Sequence, residues 1–485
     1  MKKVLGIVAA ALLLVVVVAV RTATFGIEPQ AVEAGEPVGW DEAAALKRLQ
    51  GALRIPTIAA VNPADLDVAA FEAFHAYLRQ QYPLTFSRLN WHRIADYSLL
   101  GEWKGESGTA QPIMLLAHMD VVPVQPGTES EWRFPAFDGT VADGFIWGRG
   151  ALDDKSSLIG WLEAAEKLLA EGFTPPRTVY FGFGHDEEVG GAGARAMSDW
   201  LAERGVRLGF LLDEGGFVTK GLIPGIDGRV ALIGPAEKGY TSIQLTARGL
   251  GGHSSMPPKH TAVGQIARAI TRLENNPFPA DLSYTVDTFE YLGDEAPLLQ
   301  RMIFANLWLF GPLAEKVMSD IPSTNAGIRT TTAATMMEGS PKDNVLPIIA
   351  KAVINFRILP GDTVELVYEH VTKAIDDPNI VIEPYTDFSS NPTKVAPIDG
   401  GAYETLSRII RQVRPDTVVV PRLVVGATDA RNLEPVTDAS YRFLGLEVGP
   451  EQLAGMHGTN EHVSTESFFD SLRMYYLLLK NADEL

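Results

Sequence analysis

The chain has 485 residues, 46% hydrophobic and 21% charged, an ordinary globular balance in a chain too long for one core, so two domains are expected. Its 41 basic and 60 acidic residues leave a formal net charge of -19, which repels nucleic acid and anionic lipid and argues against both as partners. There is no cysteine, so disulfides and thiolate metal sites are excluded, and any metal must sit on His, Asp and Glu.

Lys2 and Lys3 precede an apolar run over 4–20, short for a membrane span and long for a signal-peptide core. The lysines put the start of the chain in the cytoplasm and the rest on the periplasmic or extracellular side. Residues 1–25 are therefore expected to be an uncleaved signal anchor, with a cleaved signal peptide and secretion as the alternative. The membrane is met through this segment only. Residues 26–38 read as a linker.

Three- and four-residue spacing of Ala, Leu and Phe predicts helices over 41–51 and 67–80. A short apolar strand over 112–117 carries His118 and Asp120 at its end. A helix over 155–170 is stopped by Gly172 and Pro175-Pro176. Strands over 179–184 and 208–212 deliver Glu187 and Glu188, then Asp213. Apolar strands alternating with helices imply an α/β fold: a mainly parallel sheet with helices on both faces, which binds ligands beyond the carboxyl ends of its strands.

After Lys238 the pattern changes. Residues 240–247 alternate, with Ile243, Leu245 and Ala247 on one face. A helix over 261–275, strands over 328–337 and 348–358, a helix over 363–375 and a strand over 379–384 complete a small α+β lid, 239–390. It interrupts a catalytic domain made of 39–238 and 391–485. An extra segment over 285–325, rich in Leu, Phe and Trp, reads as added core, or else as an apolar wall for a greasy substrate or an interface. The chain closes on a helix over 465–480.

Six segments carry acids and histidines in order: Ala-His118-Met-Asp120, Gly-Ala-Leu-Asp153-Asp154, Gly-His-Asp-Glu187-Glu188, Leu-Leu-Asp213-Glu-Gly-Gly, Gly-Gly-His253-Ser-Ser and Met-His457-Gly-Thr-Asn-Glu-His462. Each is weak alone; His-x-Asp is common, and Asp caps helices. As a set they can hold two cations, which need imidazole and carboxylate ligands, one bridging carboxylate and one carboxylate left as a base. Asp120 can fix the His118 tautomer. Asp153 is the bridging candidate while Asp154 caps the following helix. One of Glu187 and Glu188 can ligate while the other takes a proton, since like charges this close raise a pKa unless cations compensate. A neutral His253 can donate to a developing oxyanion. By composition either His457 or His462 can ligate. His75, His92, His185, His260 and His370 read as structural or surface residues.

These motifs, from about residue 40 to the C-terminus, resemble the di-zinc aminoacylase/carboxypeptidase superfamily. The sequence is most similar to the branch of carboxypeptidase S and the N-fatty-acyl-amino-acid hydrolases. The resemblance implies one zinc on His118, Asp153 and Asp213 and another on Asp153, Glu188 and His457, the His before Gly-x-Asn-Glu, with cobalt or manganese as substitutes. It implies Glu187 as general base and then acid, Asp120 as the orienter of His118, and His253 as oxyanion donor, supplied in some dimeric relatives by the neighbouring subunit. The resemblance leaves both a single chain and a homodimer open. Lys238, Asn344 and Arg357 resemble positions that hold a substrate carboxylate, a task suited to the guanidinium fork. The implied reaction is hydrolysis of an amide next to a free carboxylate, in a small peptide or N-acyl amino acid, by a metal-bridging water. A non-catalytic binding module would have lost a ligand or the base. An aminopeptidase would need an acidic pocket for an amine.

Overall fold

The computed structural model describes residues 1–27, 32–35, 38–223, 225–386 and 388–485; the expected linker 26–38 lies partly outside them. Strands buried on both faces must be apolar throughout, and Ile113–His118, Val179–Gly184 and Phe210–Asp213 are buried at every position. They form the middle of a six-stranded sheet, in the order Asn90–Ile94, Ser98–Trp103, Val179–Gly184, Ile113–His118, Phe210–Asp213, Ser440–Arg442. The last four run parallel, and the first two add an antiparallel hairpin at one edge. His118 pairs with Gly184, so two acid-bearing loops leave the sheet at one rim.

Side chains alternate across this sheet. Ile113, Leu115 and Ala117 face the core that holds Leu158, Trp161 and Tyr475. Met114 and Leu116 face Ala194, Met197 and Leu201 on the other side. The helix Lys155–Ala170 thus lies on one face, clasped by the C-terminal helix Thr465–Lys480 with Trp161 stacked on Tyr475 at 3.7 Å, and Ala192–Glu203 lies on the opposite face. A second four-stranded sheet (Thr417–Pro421, Arg229–Ile233, Val218–Lys220, Glu447–Val448) and a three-stranded one (His462–Ser464, Phe145–Trp147, Thr140–Ala142) were not legible beforehand.

The lid is a four-stranded antiparallel sheet in the order Thr331–Glu338, Ile349–Ile358, Gly239–Arg248, Ile380–Pro384. Ile243, Leu245 and Ala247 pack into one core with residues of the helices Ala262–Glu274 and Val364–Ile375, as their alternation predicts. The extra segment forms the helices Ser283–Leu292, Leu298–Ala305, Leu307–Ser319 and Pro322–Ile328. Its first helix leaves the lid core and packs on the second sheet: Leu292 joins Val230, Leu232 and Val420, and Thr288 Oγ1 donates to the Pro421 carbonyl at 2.7 Å. Added core is therefore found at that end, while Trp308, Leu309 and Leu313 stay exposed. The helix Lys2–Ala23 is long and apolar enough to cross a membrane.

Candidate metal centre and active site

His118 ends a buried strand, and its ring is fixed from both sides. Nδ1 lies 2.9 Å from the backbone carbonyl of Asp120, and Nε2 lies 2.9 Å from Asp153 Oδ1 and 3.6 Å from Glu214 Oε1. The other Asp153 oxygen, Oδ2, lies 3.0 Å from His457 Nε2, which is 3.1 Å from Glu188 Oε2. One carboxylate therefore faces an imidazole on each of its oxygens. Two candidate cation groups result, His118 with Asp153 and Glu214, and Asp153 with Glu188 and His457, sharing Asp153. Among the described residues Glu188 Oε1 is buried without a hydrogen-bond partner, which fits an oxygen reserved for a cation. The nitrogen and oxygen donor set suits zinc and also cobalt or manganese. His457 adopts a left-handed φ of 56° and leaves its side chain 53% exposed, at the open side of the cluster.

Asp213 lies outside both groups. The neighbouring Glu214 reaches His118, whereas Asp213 Oδ2 accepts the Ala430 N–H at 2.6 Å and ties the strand end to the 428–431 loop. Asp120 is a second difference. Its Oδ1 is 3.5 Å from the His118 ring, and its two oxygens accept the N–H groups of Glu187 (3.2 Å) and Glu188 (3.1 Å). Asp120 thus orients the ring mainly through its backbone and the paired-glutamate turn through its side chain. Asp154 is buried, with its carboxylate on Ser157 Oγ.

Burial pushes the Glu187 carboxyl well above the usual range; His118 opposes this, while Asp429, Glu188 and Asp120 reinforce it. Burial, then the Asp153 charge, does the same to Glu214. Burial alone would lower His118, but its bonds to Asp120 and Asp153 lift it well above 6.5. The bonds to Asp153 and Glu188 lift His457 to about 10. Burial presses Asp153 upward, but the two imidazoles outweigh it and hold the carboxyl far below its ordinary value.

These shifts fix a sign. The raised carboxyls of Glu187 and Glu214 favour the folded state fully below about pH 4.5, and that contribution is lost as pH rises through their folded values. The raised histidines add stability that is full below about 6.5 and lost on the way up, near 10 for His457. The Asp153 contribution has the opposite slope but is complete by about pH 5. Chelated protein should therefore lose Tm from about pH 5 to about pH 7, above which Lys155 and Lys238, each lowered by burial to about 7, oppose the trend. Added zinc should flatten the slope, because cations bind the deprotonated ligands. Thermal unfolding at three pH values, with chelator and with zinc, checks this; parallel curves would contradict it.

Two residues that hold the site were missed. Glu461 is fully buried; its oxygens take Arg149 Nη1 (2.6 Å) and the N–H groups of Gly150 (3.0 Å), Leu152 (2.8 Å) and Asp153 (3.1 Å), while Arg149 Nη2 donates to the Gly458 carbonyl at 2.7 Å. It clamps the loops bearing Asp153 and His457 together. Glu237 accepts from Thr428 N (3.0 Å) and Oγ1 (2.8 Å) and lies 3.3 Å from Arg442, which sets the next loop. That loop buries Asp429 against Gly184 and Gly191, where a Cβ would collide with its carboxylate; Gly191 also needs its φ of 67°. A buried acid beside a turn was the available signal for both.

The expected substrate residues divide. Lys238 is buried and its Nζ donates to the carbonyls of Ala326 (2.9 Å) and Arg329 (2.7 Å), so its ammonium ties the end of the first catalytic segment to residues 326–329 of the lid; burial, then Arg357, lowers its pKa to about 7. Asn344 and His253 share one exposed ribbon, Gly252–His253 on Val345–Leu346, with Ser254 N–H donating to the Asn344 carbonyl (3.2 Å) and His253 Nδ1 2.8 Å from Ser255 Oγ. Arg357 lies over the Tyr240 ring (5.0 Å), Arg431 over Phe388 (5.5 Å), and the two rings are 5.5 Å apart. Two guanidinium groups, one from the lid and one from the loop after Asp429, thus share an aromatic floor. His462 is stacked on Trp147 at 4.1 Å, while His457 lies in the candidate cation group with Asp153 and Glu188.

A model of the M20/M25/M40 peptidase family matches residues 114–481. The chain is 39% identical over 444 residues to the N-fatty-acyl-amino acid synthase/hydrolase PM20D1 of Xenopus tropicalis, covering 90% of this chain and 86% of that one. It is 30% identical to carboxypeptidase S of Saccharomyces cerevisiae, covering 90% and 84%. In fold it is similar to an M20 family metallo-carboxypeptidase from Sulfolobus solfataricus, with a TM-score of 0.64 at 17% identity over 90% of this chain and 98% of that one. A shared architecture, a cation-ready cluster and these sequence relatives lead to one conclusion: the chain belongs to the M20/M25/M40 peptidase family and is a metal-dependent hydrolase.

Proposed function

We propose that the protein hydrolyses an amide bond adjacent to a free carboxylate, with N-fatty-acyl amino acids ahead of peptide C-termini. The observation that carries this reading is Asp153 with an imidazole on each oxygen, and the buried Glu187 close to His118 and Glu188. In this reading His118, Asp153, Glu188, Glu214 and His457 hold two divalent cations, zinc first. Bound there, the cations supply a lowered water pKa and a polarised carbonyl. Glu187 takes the proton of the attacking water and returns it to the leaving amine; burial gives it the raised basicity this requires. Arg357 and Arg431 receive the substrate carboxylate, whose charge relieves their mutual repulsion. His253, on its exposed ribbon, serves as oxyanion donor, from the same chain or from a partner in a homodimer. The helix Lys2–Ala23 anchors the protein in a membrane. The names of the relatives support the substrate classes: N-fatty-acyl amino acids for one group, a carboxypeptidase for the other.

The test is a panel of N-fatty-acyl amino acids and N-blocked dipeptides, each as free acid and as methyl ester, given to the full chain in detergent. Turnover of the free acids should vanish with chelator, return with zinc, and be largely absent for the esters. Arg357→Ala should raise KM for the free acids about 10- to 100-fold with little change in kcat, the effect of about 1.5–3 kcal/mol for a hydrogen bond to a charged group. Equal turnover of acid and ester would remove the carboxylate from the reading.

A further inference from the structure

We propose that the helices Leu298–Ala305 and Leu307–Ser319 seat in a lipid bilayer beside the anchor helix, so that the membrane is met through a built apolar face as well as a tether. The inference is independent of the reaction proposed above.

It begins with the anchor. The helix Lys2–Ala23 has 22 residues, and its most apolar 18-residue stretch has a mean hydropathy of 2.9 with none of it buried. Its last turn, however, is fastened to the break between the two helices. Arg21 Nε donates to the Ala305 carbonyl at 2.9 Å, and Asn306 Nδ2 lies 3.3 Å from Thr22 Oγ1. Asn306 is 0% and Thr22 6% exposed, so this is a packed joint and not a loose crossing. Any bilayer that takes the anchor must then have its surface close to residue 305.

The face presented at that level is apolar. Leu309, Leu313 and Val317 recur every four residues and are 40%, 52% and 52% exposed, a stripe of about 12 Å along the helix. Trp308 flanks it, and Leu298 and Leu299 extend it onto the preceding helix. Contiguous exposed patches of this kind mark protein or membrane contacts, and tryptophan favours the interfacial belt. The helix Leu307–Ser319 carries one acid and one base, Glu315 and Lys316, which cancel. A chain of net charge -19 gains nothing from anionic headgroups. The occupant that fits is therefore the acyl-chain boundary of a neutral bilayer, held by apolar burial and insensitive to salt. The packing of Leu292 and Thr288 on the second sheet would pass this orientation to the catalytic part.

The molecule carries its own reporter. Among the described residues Trp308 is the exposed tryptophan; the other seven are buried or half-buried. The full chain is reconstituted into phosphatidylcholine vesicles, with and without brominated acyl chains. Bromolipid quenching is expected in the parent, is expected to disappear in Trp308→Phe, and should be unchanged at high salt. Leu313→Asp with Val317→Asp, both at exposed positions, should make quenching several-fold weaker and open Trp308 to aqueous acrylamide, with circular dichroism confirming the fold. Three results would overturn the proposal. One is equal bromolipid quenching in the parent and Trp308→Phe. Another is a Trp308 open to acrylamide in the parent. The last is a Trp308 shielded from both quenchers while copies cross-link, which would assign the face to a second copy of the chain.

Discussion

Glu187→Gln is expected to lower kcat about 10²–10⁴-fold, the range for loss of a positioned general acid–base, with metal content near that of the parent. The amide is nearly isosteric and leaves the Glu187 N–H on Asp120, so the turn keeps its shape. What it removes is a group able to accept and return a proton at the pH of the reaction. Glu188→Gln is the contrast. Glu188 Oε2 faces His457 and Oε1 has no partner, so that variant should lose metal along with activity. Single-turnover rates measured beside metal content by mass spectrometry separate the two. A near-parental rate for Glu187→Gln would remove it from the base role. Parental metal content in Glu188→Gln would remove Glu188 from the ligand set.

The contrast also shows how far the sequence could be read. Local patterns were legible because local physics sets them. The strand 179–184 and the helices 155–170 and 465–480 fall at the residues that apolar runs and breakers marked, and a parallel sheet places the acids at one rim. The choice of Glu214 over Asp213 was not legible. Two adjacent acids at a strand exit point opposite ways, and which one turns inward depends on Ala430, 217 residues away. The placement of the Lys238 ammonium was not legible for the same reason, since the carbonyls it meets are 88 and 91 residues distant. Arg431 sits in a loop recognised as near the site, but its pairing with Phe388 and its place opposite Arg357 exist only once the lid is folded onto the catalytic part.

Glu461 is the extreme of this non-local support, and its removal should have the largest effect on stability. Glu461→Ala strands the buried Arg149 and three N–H groups at once, which predicts a loss of about 3–5 kcal/mol, the range for breaking a buried ion pair from one side. Arg149→Met should cost less, because the carboxylate left behind still accepts from Gly150, Leu152 and Asp153, bonds that stabilise its charge. The double variant should recover only part of the Glu461→Ala loss, since those three donors stay unpaired whichever residue replaces Arg149. Metal should follow stability. Glu461 fixes the backbone at Asp153 and, through Arg149, the carbonyl next to His457, so retention should fall about 10- to 100-fold, as for partners that orient ligands. Chemical denaturation of the four proteins, with metal retention measured on dialysis, gives both readouts. Equal losses for Arg149→Met and Glu461→Ala would mean that the ion pair, and not the cradle of backbone donors, holds the loops of Asp153 and His457 together.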